Sequence, residues 1–360
     1  HAHFGSRTAR LGEPIMMIGD RIIRNARTIS DAIDLAKKSR RVANWSFVVA
    51  SSKSNESVIL EMSPDRVEVY QRNDSPLAHS NYFRHPSLQN DETNLCGAYA
   101  ADLRGRKCSV ENYIKERAGL VTAEDMYSAL GSPVDPFTNR VHLCGNVAAA
   151  VTTIQSSVFE PETQTFWTSV RQESPASLGP FIKINVPSFW KSVDSGEWAP
   201  PPLLANKNAG VSDHYLLAMR AFREAYKIFQ MEPSDSTTTR RAFEKVNDAI
   251  SYVSGDSHLL IHAGLLAFKL WEFPASAKMF TNAKAAGLSY HLQNVADLFL
   301  ARCFDLDGRR EPAIEIYKND TNISDPRLRG AYRDGRSRAY EAKRVRDVQF
   351  DLQFPDCFRY

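Results

Sequence analysis

Long apolar runs, a cysteine framework and an excess of either charge are all missing from this sequence of 360 residues. No stretch of about 18 consecutive apolar residues occurs, so no segment reads as a transmembrane helix. The five cysteines (Cys96, Cys108, Cys144, Cys303 and Cys357) are an odd number, without a CxxC pair or the Cys/His spacing of a zinc site. Neither a disulfide framework nor a metal site is therefore read, and no cofactor-binding motif stands out. Reduced thiols are the default, which favours a reducing, cytoplasmic compartment. Lys and Arg together number 45 against 42 Asp and Glu, leaving a net charge of +3. That balance, with no stripe of interleaved aromatic and basic residues, argues against nucleic acid as a partner. The opening His1-Ala2-His3-Phe4-Gly5 has no Met, no charged leader and no apolar core of a signal peptide, so the expectation is that His1 is not the natural start.

What is present is an ordinary globular composition, 43% hydrophobic and 24% charged, long enough for two units that each bury a core. Residues 14–38 carry Ile15, Ile18, Ile22, Ile23 and Ala26 at helical spacing, then Ile29, Ala32, Ile33 and Ala36 after Thr28 or Ser30 as a cap. The texture then changes to strands at 45–52 and 57–62, joined by the polar turn Lys53-Ser54-Asn55-Glu56, with a third half-exposed strand at 66–70. Residues 109–130 read as helical, with a start at Thr122 and acidic Glu124 and Asp125 in its first turn. Two further strands are expected at 147–159 and 164–171. Helices, hairpin, helices and hairpin in this order predict a layered α+β unit over residues 1–190 rather than a parallel sheet.

Residues 191–213, with Pro200-Pro201-Pro202, Gly196 and Gly210, read as a linker. Beyond it a repeat emerges. Ala242, Val246 and Ala249 recur as Ser276, Phe280 and Ala283, and Ala313 with Tyr317 follow. The spacing and the small-aromatic-small pattern resemble tetratricopeptide repeats, which predicts an all-α helical array over 214–345 and a tail over 346–360. A concave helical surface of that kind would take a protein partner.

The first half resembles the C-terminal part of the acyl-coenzyme A:6-aminopenicillanic acid acyltransferase family of N-terminal-nucleophile (Ntn) hydrolases. The resemblance rests on an ordered series of elements covering residues 1–186: His1-Ala2-His3-Phe4-Gly5, Gly12-Glu13-Pro14-Ile15, Ala26 to Ala32, Leu60-Glu61-Met62-Ser63-Pro64, and His79-Ser80-Asn81-Tyr82-Phe83. It implies an α/β/β/α layered domain, incomplete at its N-terminus, with a Cys nucleophile upstream of His1 that becomes N-terminal when a precursor cleaves itself. It further implies a small-molecule amide or thioester as substrate. Tyr82 departs from the pattern, standing where the family has His. By the resemblance Asn81 is a candidate oxyanion donor, and Arg106, read as lying just ahead of a helix, a candidate structural or substrate-orienting cation.

The plainer readings stand beside these. Asn81 can satisfy a turn and Arg104 with Arg106 can be a solvated helix approach. His1 and His3 share a strand face, but two ligands do not make a metal site. Cys108 and Cys144 read as small core residues, Cys144 being the better outsider as a nucleophile. A non-catalytic interaction protein working through its helical array is the competing reading for the whole chain.

Overall fold

The computed structural model describes the chain apart from residues 1, 4, 7, 71–77, 94–95, 171–174, 207–210 and 232–234. Its first elements are helices α1 (Ile15–Asn25) and α2 (Ile29–Lys38), followed by strands β1 (Trp45–Ser51), β2 (Glu56–Met62) and β3 (Val67–Tyr70) in an antiparallel sheet of order β1-β2-β3. Thr28 is the cap that starts α2: its hydroxyl accepts from Asp31 N while the Asp31 carboxylate accepts from Thr28 N. Ser30 lies inside the helix. Ile15, Ile18 and Ile22 form the buried stripe of α1, whereas Ile23, one residue round the helix, is 85% exposed and does not join the core.

Alternation along β2 divides the sheet into two faces. Val58, Leu60 and Met62 pack under α1 and α2. Ile59 and Glu61 point the other way and are buried as well, so a second layer covers the back of this sheet.

After β3 the chain continues into short helix α3 (Pro86–Gln89), then α4 (Gly97–Lys115) and α5 (Ala123–Leu130). Helix α4 begins twelve residues before the expected start at 109, which places Arg106 within the helix and not ahead of it. The cause is visible: its buried positions include Asp102, Lys107 and Glu111, and Lys107 pairs with Glu111 at 2.6 Å. Charged residues on the inward face erase the apolar periodicity by which a helix is read. The helix start predicted at Thr122, with Glu124 and Asp125 in the first turn, is where α5 opens, and Thr122 with Asp125 forms a capping box there.

Next come the short ladder β4 (Val134–Asp135) with β5 (Arg140–Val141), and a second antiparallel sheet, β6 (Ser157–Glu160), β7 (Thr165–Ser169) and β8 (Phe181–Asn185). The strand expected over 147–159 is confined to its last residues; Val147, Ala149 and Val151 are buried in irregular chain. Helix α6 (Val186–Ser195) occupies the start of the segment read as a linker and ends at Gly196, whose φ of 74° suits glycine. The chain then doubles back, and Leu204 exchanges backbone hydrogen bonds with Phe181.

The C-terminal half is a helical array: α7 (Asp213–Met231), α8 (Ser236–Tyr252), α9 (Ser257–Lys269), α10 (Phe273–Ala286), α11 (Tyr290–Leu306), α12 (Arg310–Tyr317) and α13 (Pro326–Ser337), each packed on the next. Ala242, Val246, Ala249, Ser276, Phe280, Ala283, Ala313 and Tyr317 are all completely buried. Gly264 allows a close approach within the array: a Cβ there would sit 2.8 Å from the Phe280 ring, and the Ser276 hydroxyl donates to the Gly264 carbonyl at 2.9 Å.

The array and the α+β part share a core, in which Leu143, Cys144, Ala149, Val151 and Leu178 join residues of α7 to α13. The tail, with strands β9 (Gln349–Phe350) and β10 (Cys357–Arg359), crosses back over the array to the start of α4. There the Asp356 carboxylate accepts from Ala98 N at 2.9 Å and lies 2.6 Å from His291 Nε2.

Candidate active site

On the back of the β1-β2-β3 sheet, the segment 78–85 is pinned by a buried carboxylate. Glu61, fully buried on β2, accepts from Arg84 N at 2.8 Å and His85 N at 2.8 Å. Burial pushes the Glu61 carboxyl above its ordinary range, against the pull of these two donors. Glu92 plays a matching part, accepting from Phe83 N at 2.6 Å. These backbone anchors at Phe83, Arg84 and His85 fix the chain just beyond His79-Ser80-Asn81-Tyr82.

The segment around Ala2 and His3 runs antiparallel to the end of β1, with Ala2 bridged to Trp45 and His3 N donating to Asn44 O. The His3 ring is buried, stacks on Phe83 at 4.3 Å, and its Nε2 lies 2.9 Å from the Ser46 hydroxyl. His79 sits 5.8 Å from the His3 ring, with Nε2 3.9 Å from the Glu61 carboxylate. Burial lowers both imidazoles, His79 to about 3, so both rings are neutral at physiological pH. The metal reading of His1 with His3 cannot be followed, since His1 lies outside the described residues; His3 itself is packed and hydrogen-bonded. Tyr82 is half-buried against His79, the rings 6.2 Å apart.

Asn81 and Arg106, singled out separately in the sequence, meet. The Asn81 amide donates from Nδ2 to the Ala2 carbonyl at 2.9 Å, and its Oδ1 accepts from Arg106 Nη2 at 3.0 Å. Arg106 is oriented in turn by Asp102, one turn earlier on α4, which accepts from its Nε at 2.9 Å. The other Asp102 oxygen accepts from Asn146 N, also at 2.9 Å. Burial raises the Asp102 carboxyl while Arg106 pulls it down.

The Leu143-Cys144-Gly145-Asn146 turn presents that N–H through two successive left-handed residues, Gly145 (φ 70°) and Asn146 (φ 64°), residue types that tolerate this conformation. Gly105 lets the turn approach, since a Cβ there would lie 2.6 Å from Asn146 Cα. Asn146 Nδ2 continues the network to Asp135 at 3.1 Å. Arg104 is exposed, in keeping with its plainer reading.

The four cysteines Cys96, Cys144, Cys303 and Cys357 are buried, and burial drives each thiol above its ordinary value, Cys303 to about 12. None of the four supplies a thiolate at neutral pH, which removes Cys144 as a nucleophile. Cys108, on α4, is half-buried. The residues missed in the sequence are the supports: Glu61, Glu92, Ser46, Asp102 and Asn146. Only Glu61 carried a signal, as a lone carboxylate inside the apolar run Val58 to Met62.

The model of the acyl-coenzyme A:6-aminopenicillanic acid acyl-transferase family matches residues 2–175, a span that holds Asn81, Arg106 and every residue of the network just described. The match suggests a function of the acyltransferase and Ntn-hydrolase type, with a small-molecule substrate. No curated protein and no solved structure matches the chain.

Proposed function

We propose that this protein is an Ntn-type amide hydrolase or acyltransferase acting on a linear amide or thioester, its Cys nucleophile carried on a segment ahead of His1. The observation that carries this reading is the Asn81 amide, held from both sides within the family-matched span. In such chemistry the nucleophile thiolate attacks the substrate carbonyl, and the α-amino group of the same residue takes the thiol proton. Charge collects on the former carbonyl oxygen and requires a fixed donor. Asn81 Nδ2 has two N–H bonds; one is engaged by Ala2 O and the second is the oxyanion donor. Arg106, donating to Oδ1, polarises the amide and sharpens that donor. Arg106 is accordingly a positioning residue, and Asp102 positions Arg106.

We further read the two sheets and their helices as the layers of an Ntn domain and α7 to α13 as a tetratricopeptide-like array whose exposed surface docks a protein partner. Full burial of the small and aromatic repeat positions supports the array reading. The test is to determine the intact mass and first residue of the protein from its natural source, then assay that form against acyl-amides and thioesters. A processed chain starting with Cys, and a loss of about a hundredfold or more in kcat on Asn81→Ala, is the expected result. Near-wild-type turnover in that variant removes the oxyanion role. A chain that truly begins at or near His1 removes the mechanism and leaves interaction through the array as the function to pursue.

A further inference from the structure

A second buried cluster lies away from Asn81, where the loop after β4 meets the start of α9. A ring nitrogen from each of His142 and His258 and a carboxylate oxygen of Asp135 all lie within 4.8 Å of one another, and all three residues are buried. Their outer hydrogen bonds fix which atoms face inward. His142 Nδ1 lies 3.0 Å from Asp256 Oδ1, and His258 Nδ1 lies 2.7 Å from the Cys144 carbonyl. Asp256 also accepts from Leu143 N at 2.8 Å and caps α9 through His258 N and Leu259 N.

The Nδ1 of each histidine faces an acceptor, which leaves Nε2 as the nitrogen open to a ligand.

The consequence is an excess of acceptors. His142 Nε2 faces Asp135 Oδ2 at 3.8 Å, too far for a hydrogen bond. Asp135 already accepts from Phe137 N and Asn146 Nδ2, and among the described residues the hydrogen-bond partner of His142 Nε2 is the Thr138 hydroxyl, at 3.5 Å. Among the described residues the sole ion-pair partner of both Asp135 and Asp256 is His142. Two buried carboxylates with no lysine or arginine beside them call for positive charge. A divalent cation supplies that charge, and a carboxylate or carbonyl behind each Nδ1 is the outer arrangement that metal-ligating histidines take.

We propose that Asp135, His142 and His258 form a binding site for one divalent transition-metal cation of the zinc class, placed at the seam between the α+β part and the helical array. Two imidazoles and one carboxylate suit zinc's ligand preferences and leave a fourth position. The two rings are stacked at 4.0 Å and 9°. Ligands of a tetrahedral zinc at about 2.0–2.2 Å lie closer together than 4.8 Å, so binding draws the Nε2 atoms inward and opens the stack. The proposal does not rest on the acyl-transfer reading, although Asp135 also accepts from Asn146 Nδ2 at the far end of the Asn81 network.

The test uses the full chain. After incubation with zinc and desalting against a weak chelator, elemental analysis is expected to find about one equivalent of zinc in the wild type and almost none in Asp135→Asn or His258→Gln. Cobalt(II) added to the unaltered protein is expected to give the intense visible absorption of a tetrahedral site, a readout that does not depend on whether the variants fold. Wild-type zinc content in folded Asp135→Asn and His258→Gln would overturn the proposal. So would a wild type that retains no zinc while nitrogen NMR finds His142 protonated on both nitrogens at neutral pH, since a proton would then supply the missing charge.

Discussion

The Arg106 guanidinium spans two partners with different consequences: Nε donates to Asp102 on its own helix, and Nη2 reaches Asn81 Oδ1 in a segment 25 positions earlier. A single planar cation thereby ties the register of α4 to the direction of the Asn81 amide. Lysine has one ammonium and cannot hold both acceptors at these angles. Arg106→Lys is expected to fold and melt as the wild type does within about 1 kcal/mol, while kcat for the acyl-transfer substrate falls about ten- to a hundredfold. Steady-state kinetics beside a thermal melt separates the two; equal kcat would mean that Asn81 is held without Arg106.

Gly105 offers a test of the same network from its backbone. Alanine there places a methyl carbon 2.6 Å from Asn146 Cα and 2.8 Å from Asn146 O, neither of which belongs to a flexible side chain. The turn must retreat from α4, lengthening the bond from Asn146 N to Asp102. A loss of about 1–3 kcal/mol by denaturant titration is expected for Gly105→Ala. An unchanged midpoint would show that the 145–146 turn has room to move.

Gly264→Ala makes the equivalent test in the array, because the added Cβ meets the Phe280 ring at 2.8 Å. The expected cost is again about 1–3 kcal/mol, and Phe280→Leu in the same chain should recover part of it by withdrawing the ring edge. A double-mutant cycle measures the coupling, and additive losses would place the strain elsewhere.

Acid lability follows from the buried histidines. His79 and His262 are each lowered to about 3, by burial first, from an ordinary value near 6.5. In the unfolded chain they bind protons as the pH drops below about 6.5, while the folded protein resists until near 3. Stability is therefore highest above that window and falls as pH falls through it. The two His262 ring nitrogens have no hydrogen-bond partner among the described residues, and the ring lies 5.7 Å from Phe222. His262→Phe is expected to leave stability at pH 7.5 unchanged or raised by about 1 kcal/mol and to flatten its decline toward pH 5. Urea titrations at several pH values check this, and an unaltered slope would mean that His262 does not titrate on unfolding.

Much of the frame was legible where one physical signal dominated. Thr28 and Thr122 announce their helices because a hydroxyl three residues before a carboxylate satisfies two end donors, and β2 announces itself by an apolar run after a polar turn. The start of α4 was hidden because Asp102, Lys107 and Glu111 fill its inward face, and β8 because Phe181 to Asn185 is five residues with Pro180 before it and Pro187 close behind. Asn81 and Arg106 were chosen from a family pattern, but their mutual bond was not, since nothing in local spacing relates a loop to a helix face. The cluster of Asp135, His142 and His258 was equally invisible: the bond from His142 to Asp256 that joins its two parts spans 114 positions, and each histidine alone looks like an ordinary core residue.

The tail's hold on α4 bears on how the molecule comes into being. Asp356 receives the Ala98 N–H from a residue 258 positions earlier, so the helix that carries Asp102 and Arg106 gets one of its end acceptors only after almost the whole chain has left the ribosome. Until then the first turn of α4 is open to water. The last end acceptor of α4 is therefore supplied by the C-terminal tail, so a chain shortened before Asp356 would leave the Ala98 N–H without it.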